Sequence, residues 1–169
     1  MLHIIKTMSV RIVSVGAPGI GKSYYLHTLT ANYTSSLLIR PTVGVDFLTL
    51  RHNSMHVQIW DLSGRLEFQN LAKTYSKDVG VVLLWYKDAE SLRELKETWM
   101  PLFKNKKRII CTTTSCMCHD ARLTDSPLCL GTIYMDRHDA RDQLIMIIKN
   151  KTDYIPPPIS PKKCCCTMS

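Results

Sequence analysis

The 169-residue sequence lacks any apolar run near the roughly 18 residues that a membrane-spanning helix needs. Its opening residues, MLHIIKTMSV, also lack the apolar stretch and cleavage site of a secretory signal. These absences predict a soluble body in the cytosol. Acidic residues are scarce too: 14 Asp and Glu accompany 22 Lys and Arg, and the net charge of +8 favours phosphate-bearing partners, whether nucleotide, anionic membrane or nucleic acid.

The seven cysteines do not suggest a disulfide framework, because their number is odd and three of them are adjacent at 164–166. Cys116, Cys118 and His119 resemble part of a zinc site, but no second ligand pair at standard spacing follows them. We therefore expect no zinc site in this chain.

Predicted strands and helices alternate along most of the chain, because runs rich in β-branched residues are followed by segments with helical spacing. The predicted strands are 9–15, two strands within 47–61 that meet at a turn at Asn53-Ser54, 78–86, 108–114 and 130–135; the predicted helices are 21–33, 89–103 and 141–150. This order predicts an α/β three-layer fold, with a mostly parallel six-stranded sheet and one antiparallel hairpin.

The length suits one domain, which we place at residues 1–152. Residues 153–169 contain four closely spaced prolines and then the cysteines, a composition that cannot continue a helix and favours an extended form. This segment is predicted to be a flexible tether. Within the domain, Leu92, Leu95, Trp99 and Leu102 lie on one stripe of the helix predicted at 89–103.

The segment GAPGIGKS at 16–23 matches the pattern G-x-x-x-x-G-K-[ST] between a predicted strand and a predicted helix, which is the context of a phosphate-binding loop. Its backbone N–H groups and helix N-terminus attract phosphates, Lys22 reaches the terminal phosphates, and the Ser23 hydroxyl binds Mg²⁺. Pro18 removes one N–H donor from the loop. The predicted phosphate-binding residues here are Gly16, Gly19, Ile20, Gly21, Lys22, Ser23 and Tyr24.

Three further segments accompany this loop: PTVGVDF at 41–47, VQIWDLSG at 57–64 and YSKDVG at 75–80. With these motifs and its cysteine-rich end, the chain resembles the Ras superfamily of small GTPases, and within it the Rab branch. The resemblance covers residues 9–115 well and the rest loosely. It implies a P-loop NTPase fold that binds GTP or GDP with Mg²⁺, and two switch loops that the triphosphate orders.

Carried over by position, the resemblance implies that Thr42 and Asp61 join Ser23 at the magnesium ion, and that the Gly64 amide senses the terminal phosphate. It also implies that effector and regulator proteins read the switch surface. On one side that surface is the segment Thr42, Val43, Gly44, Val45, Asp46 and Phe47, and on the other it is residues 65–75.

Arg65 departs from the family pattern, because it stands where a glutamine normally orients the attacking water. A guanidinium only donates hydrogen bonds, so it cannot accept one from water as an amide oxygen does. We expect slow GTP hydrolysis. Arg65 as a stabiliser of phosphate charge and Arg65 as a solvated loop residue are both open, and the second is favoured.

The base-reading motif N-K-x-D of guanine-selective members is replaced by Thr113, Thr114, Ser115 and Cys116, so its lysine and carboxylate are both missing. A neutral thiol does not accept two hydrogen bonds as a carboxylate does. Thr113, Thr114 and Cys116 remain candidate base-binding residues, with Asp136 as a candidate replacement carboxylate. The segment 116–128 is short for the helix that relatives carry there, and we expect that helix to be missing or reduced to a turn.

The chain ends in Cys166-Thr167-Met168-Ser169, a C-a-a-X box whose terminal serine favours farnesylation. Cys164 and Cys165 are candidate palmitoylation sites, and double prenylation involving these two cysteines is an alternative. Lys162 and Lys163 add attraction to anionic lipid. A prenyl chain with a second lipid or basic charge anchors stably, so we expect attachment to the cytoplasmic face of a membrane.

The leading prediction is a membrane-anchored Rab-like GTP-binding switch in vesicle trafficking, with slow or impaired GTP hydrolysis. The alternative is a pseudo-GTPase that sequesters Rab effectors or regulators. A P-loop kinase or ATPase is a third possibility, but the chain offers neither a lid-like arginine cluster nor room for a substrate domain. The predicted partners are effector and regulator proteins and a lipid membrane, and we expect no nucleic-acid partner.

Overall fold

The computed structural model describes residues 8–30, 40–112 and 121–151, which form one six-stranded sheet with helices on both faces. The strands are β1 (Met8–Gly16), β2 (Val45–His52), β3 (Met55–Leu62), β4 (Val81–Trp85), β5 (Lys107–Thr112) and β6 (Cys129–Tyr134). The helices are α1 (Lys22–Thr30), α2 (Gln69–Tyr75), α3 (Ala89–Glu94), α4 (Ala121–Thr124) and α5 (Ala140–Lys151). The α/β three-layer prediction is confirmed.

The strand order is β2-β3-β1-β4-β5-β6, and only β2 and β3 pair antiparallel. These two strands meet at the predicted two-residue turn, where Asn53 has a φ of 51°, a left-handed conformation that asparagine tolerates well. Because the other five strands run parallel, β1 and its neighbours β3 and β4 end at one edge of the sheet. Ligands of open α/β sheets bind at this edge.

Each face of the sheet buries its own apolar core, since successive strand residues point to opposite faces. Val10 and Ile12 of β1 join the core that also holds Leu26 of α1 and Leu144 of α5. Val13 joins the core on the other face, which is completed by residues such as Ala72 of α2, Leu92 of α3 and Leu95 directly after α3. The near-continuous apolar runs of the central strands follow from this burial on both faces.

The segment after α3 differs from the predicted stripe in one position. A π-helical turn at Leu95–Trp99 and a 3-10 turn at Met100–Phe103 continue the helix, so its winding changes twice. Leu92, Leu95 and Trp99 are buried as predicted, but Phe103 is the fourth buried residue and Leu102 packs only at the margin. The uniform helical spacing assumed from sequence was therefore wrong for Leu102.

Between β5 and β6 the described residues contain a single helical turn, α4, of four residues. This agrees with the prediction that the helix here is missing or reduced to a turn. Residues 113–120, which include the candidate base-reading positions, lie outside the described residues.

Asp88 caps α3, and this cap leads to a pH-dependent prediction. Its carboxylate accepts hydrogen bonds from the Ser91 hydroxyl at 2.6 Å and the Ser91 amide at 2.8 Å, which lower the pKa of Asp88. A lowered folded-state pKa gives stability that is present above the unfolded pKa, about 3.9, and is lost as pH falls through the folded one. We expect Asp88→Ala to lower the free energy of unfolding by about 0.5–2 kcal/mol near pH 7.

This difference should narrow as the pH falls below about 4, because the wild-type carboxylate then becomes protonated. Urea unfolding at several pH values measures it. Glu90→Ala is the control, since Glu90 is an exposed acid of the same first turn that does not cap the helix. A stability loss for Asp88→Ala that is equal at all pH values would contradict the prediction.

Candidate functional site

The loop between β1 and α1 curls around the Lys22 side chain. Gly19 and Gly21 adopt φ values of 71° and 93°, which residues other than glycine rarely adopt. The buried Lys22 ammonium donates hydrogen bonds to the Gly16 and Ala17 carbonyl oxygens, both at 2.9 Å. Burial lowers the pKa of Lys22, although Asp61 and Glu94 act in the opposite direction. The loop thus holds a cation at the position where phosphates would lie.

Three side-chain oxygens converge beside this loop. The Ser23 hydroxyl lies 2.7 Å from the Thr42 hydroxyl and donates to Asp61 Oδ2 at 2.5 Å. The Ser14 hydroxyl donates to the other carboxylate oxygen at 2.9 Å, which fixes the orientation of Asp61. Hard cations such as Mg²⁺ prefer oxygen ligands. The donor set of Ser23, Thr42 and Asp61 therefore fits a magnesium ion.

Asp61 is buried in the sheet, and burial raises the pKa of its carboxyl despite hydrogen bonds from Ser23 and Ser14 and the charge of Lys22, which lower it. The charged form is thus costly in the folded protein. A divalent cation would stabilise the charged form of this carboxylate, because it would replace the favourable interactions with water that burial removed.

Gly64 lies directly against the phosphate loop. A Cβ atom at this position would come within 2.4 Å of the Pro18 nitrogen and 2.5 Å of the Ala17 carbonyl carbon, so only glycine fits. The neighbouring Ser63 amide donates to the Gly44 carbonyl oxygen at 2.9 Å. Two loops that are distant in sequence therefore meet each other and the phosphate loop.

A cavity of about 440 Å³ lies between these loops. It is lined by Pro18, Gly19, Gly21, Lys22, Ser23, Tyr24, Arg40, Pro41, Thr42, Leu62, Ser63, Gly64 and Arg65. The lining includes three cationic side chains and no Asp or Glu. Its size and charge suit a polyanion such as a nucleotide phosphate chain.

Comparisons with known proteins fit this geometry. A family model described as Ras of Complex, Roc, domain of DAPkinase matches residues 11–119, which is more than half of the chain. The chain belongs to the Ras superfamily of small GTPases. Similar proteins are Ras-related protein RABA1c of Arabidopsis thaliana, 32% identical over 100 residues (56% of this chain, 46% of that protein), and Ras-related protein Rab-7B of Dictyostelium discoideum, 28% identical over 102 residues (59% and 50%).

Within the superfamily, these relatives place the chain with the Rab branch, as the sequence motifs predicted. The matched part of the chain spans half or less of the length of these curated relatives. Members of this GTPase family generally bind GTP and GDP with Mg²⁺ and associate with effector proteins. None of the described helices is long and apolar enough to cross a membrane.

Arg65, which the sequence predicts to stand in place of the small-GTPase glutamine, lies at the rim of the cavity. Its guanidinium is half exposed and lies 3.6 Å from the Glu67 carboxylate, and its backbone amide donates to the Ser63 hydroxyl at 3.4 Å. The side chain is therefore partly engaged by its own loop. These surroundings are those of a partly solvated loop side chain rather than of a group that positions water.

The base side of this Rab-like site is only partly described, because Thr113, Thr114 and Cys116 lie outside the described residues. Asp136 follows β6, and its charge is close enough to Tyr25 to help raise the pKa of that phenol, an effect for which burial is the main cause. The Tyr25 ring stacks on Trp85 with ring centroids 6.3 Å apart. The role of Asp136 as a base ligand therefore stays a prediction.

Several apolar side chains of the switch segments and of the neighbouring strands are exposed or half-buried. Val43, Phe47 and Leu66 are 71%, 50% and 63% exposed. Phe47 lies 5.3 Å from Trp60 between ring centroids, and Trp60 lies 6.1 Å from Tyr75. We call the five residues Val43, Phe47, Trp60, Leu66 and Tyr75 the switch patch. Exposed apolar patches of this kind mark protein interaction sites.

Sequence reasoning missed several residues of this site. Ser14 was read only as part of a strand, although a polar residue inside an apolar strand was a visible signal. Arg40 lines the cavity but lies in no motif, whereas Pro41, Leu62 and Ser63 lie in the quoted motifs but had been given no role in the site. Trp60 was quoted in a motif without being assigned to the effector surface, because strand alternation alone does not tell which face remains exposed.

Asp61→Asn tests the magnesium site. Asparagine keeps an oxygen to accept from Ser14 but carries no charge, so the burial cost of the carboxylate disappears. Because burial raises the folded-state pKa, the wild-type carboxylate is least favourable at high pH, and we expect the nucleotide-free variant to melt at the same or a higher temperature at pH 8.

Magnesium-dependent nucleotide affinity should fall by about 10- to 100-fold in the same variant, because a charged ligand is lost. Thermal melting and calorimetric titration with and without Mg²⁺ measure the two effects. Asp142→Asn is the control, since Asp142 is an exposed acid of α5 that does not line the cavity. A variant that binds nucleotide with undiminished magnesium dependence would exclude Asp61 as a ligand.

Proposed function

We propose that this chain is a membrane-anchored Rab-like switch that binds GTP and GDP with Mg²⁺, hydrolyses GTP slowly and acts in vesicle trafficking. The observation that carries the proposal is the convergence of Ser23, Thr42 and Asp61 oxygens beside Lys22. These residues come from three separate segments, so chance proximity in one loop does not explain their meeting.

The roles of the residues follow from their places. Lys22 and the loop backbone bind the phosphate chain, and Ser23, Thr42 and Asp61 hold the magnesium ion, which neutralises phosphate charge when bound. Thr42 and Gly64 lie on opposite loops that both adjoin the phosphate loop. A terminal phosphate between them would draw the two loops together, which is how binding becomes a conformational signal.

Slow hydrolysis follows from Arg65. Its guanidinium donates hydrogen bonds and accepts none. It therefore cannot accept a hydrogen bond from the attacking water. The neighbouring Glu67 carboxylate also partly neutralises the charge of the Arg65 guanidinium at the rim of the cavity. The proposed protein therefore stays in its triphosphate form for longer than a relative with glutamine.

Membrane attachment is proposed from the sequence of the tail, since Cys164, Cys165 and Cys166 lie outside the described residues. The tail follows α5 in the chain. A lipid on the tail would thus tether the domain through a segment separate from its switch loops. The switch patch would remain available to effector proteins.

The nucleotide content of purified protein, read by chromatography after denaturation, tests the proposal directly. Thermal melting with GTP, GDP, ATP or no nucleotide, each with Mg²⁺, gives the affinity order. We expect stabilisation by guanine nucleotides of at least a few degrees, since binding adds RT ln(1 + [L]/Kd) to the stability. If neither test detects nucleotide, the proposal of a GTP-binding switch fails.

A pseudo-GTPase that sequesters Rab effectors or regulators is the second candidate. The missing carboxylate at Cys116 and the exposed side chains of the switch patch, Val43, Phe47 and Leu66, favour it, because such side chains can contact a partner without any nucleotide. The same melting experiment separates the two functions. Effector binding that is equal with GTP, with GDP and with no nucleotide identifies the pseudo-GTPase.

A further inference from the structure

We propose that Arg40 is a phosphate-binding residue that makes the site prefer triphosphate to diphosphate. The inference rests on the proposed function, because it assigns a further residue to the same nucleotide site. Arg40 lines the cavity together with Pro41 and Thr42. It belongs to none of the motifs by which the site is identified.

The local sequence directs the Arg40 side chain toward the phosphates. Proline at position 41 biases the preceding residue toward an extended backbone. In an extended segment, residues two apart point to the same side. Thr42 points at Ser23, with the two hydroxyl oxygens 2.7 Å apart, so Arg40 faces the same cavity.

Arg40 also differs from the other two cations of the cavity in what holds it. The Lys22 ammonium is buried and bound to the Gly16 and Ala17 carbonyl oxygens, and the Arg65 guanidinium lies beside Glu67. Arg40 is exposed, and in the described part of the chain no acidic side chain forms an ion pair with it. Its guanidinium keeps its full set of donors for an incoming anion.

The position of Arg40 determines which phosphate it reads. Lys22 lies at the base of the cavity within the phosphate loop, whereas Arg40 lies on the wall that carries Thr42. Under the proposed function, Thr42 adjoins the terminal phosphate of a triphosphate. A guanidinium on that wall makes charge-assisted hydrogen bonds to the extra phosphate and few to a diphosphate.

The test compares the affinities of wild type, Arg40→Ala and Arg40→Lys for a non-hydrolysable GTP analogue with a β,γ-imido bridge and for GDP. Calorimetric titration with Mg²⁺ supplies both dissociation constants. We expect Arg40→Ala to raise that of the analogue about tenfold and that of GDP less than about twofold, since Arg40 is exposed and its bonds are partly screened. Arg40→Lys should recover part of the loss, because lysine keeps the charge without the planar fork.

Arg51→Ala is the matched control, since it removes an exposed arginine of β2 that does not line the cavity. Arg65→Ala should change the ratio of the two affinities less than Arg40→Ala does, because Glu67 already engages Arg65. Melting temperatures of the nucleotide-free variants check that they fold. An unchanged ratio, or an equal loss for both nucleotides, overturns the role of Arg40 while the proposed function stands, whereas no binding by the wild type overturns both.

Discussion

Lys22→Ala should abolish detectable binding of both GTP and GDP, with a loss of affinity of about a hundredfold or more. Charge-assisted hydrogen bonds contribute about 1.5–3 kcal/mol each, and under the proposed function the Lys22 ammonium would donate more than one to the phosphate chain. Both nucleotides should lose affinity, because Lys22 lies within the phosphate loop, which under the proposed function binds the phosphates that GTP and GDP share. Fluorescent nucleotide titration measures the loss.

The folded state should tolerate this change better than the ligand does. Removing the Lys22 side chain leaves the Gly16 and Ala17 carbonyl oxygens without their hydrogen-bond donor. It also removes a buried ammonium whose charged form is disfavoured, since burial lowers the pKa of Lys22. Lys22→Met keeps most of the volume and should lose binding equally. Lys104→Ala, which removes an exposed lysine far along the chain, is the charge-matched control. Full affinity in Lys22→Met would refute a role for the ammonium.

Gly64→Ala should reduce affinity for the triphosphate at least about tenfold while affecting GDP little. The added methyl would lie 2.4 Å from the Pro18 nitrogen and 2.6 Å from the Gly16 carbonyl oxygen, and these backbone atoms cannot turn aside as a side chain does. The loop carrying Gly64 must therefore move off the phosphate loop. Overpacking of this kind also costs about 1–3 kcal/mol of stability.

Calorimetric titration with the non-hydrolysable analogue and with GDP, together with urea unfolding, measures these effects. Asn70→Ala is the control, because it alters an exposed side chain of α2, shortly after the same loop, that does not line the cavity. Equal affinity of Gly64→Ala and wild type for the triphosphate would show that the close approach has no part in binding.

Most of the fold was predictable, because its signals are local or periodic. The β-branched runs, the turn at Asn53-Ser54 and the phosphate-loop motif each specify an element without knowledge of the rest. Phe103 was not predictable in the same way. The π-helical and 3-10 turns after Leu95 shift the buried stripe, and nothing in the residue spacing announces such a change of winding.

The site divides similarly. Lys22, Ser23, Thr42 and Asp61 were assigned from motifs, and the structure brings their side chains together. Arg40 had no such motif, since an arginine before a loop proline is an ordinary solvated residue until the tertiary structure places it on a cavity wall. The roles of Thr113, Thr114, Cys116 and Asp136 stay predictions.

The hydrogen bond from the Ser63 amide to the Gly44 carbonyl oxygen makes the two loops thermodynamic partners. A protein that binds one loop also shifts the conformation of the other. Its binding free energy and that of the nucleotide are therefore coupled. By reciprocity, an effector strengthened tenfold by triphosphate must strengthen triphosphate binding tenfold in return, about 1.4 kcal/mol in each direction. Because the sequence predicts that this chain has lost the base-reading lysine and carboxylate, a bound effector would then help to retain the nucleotide.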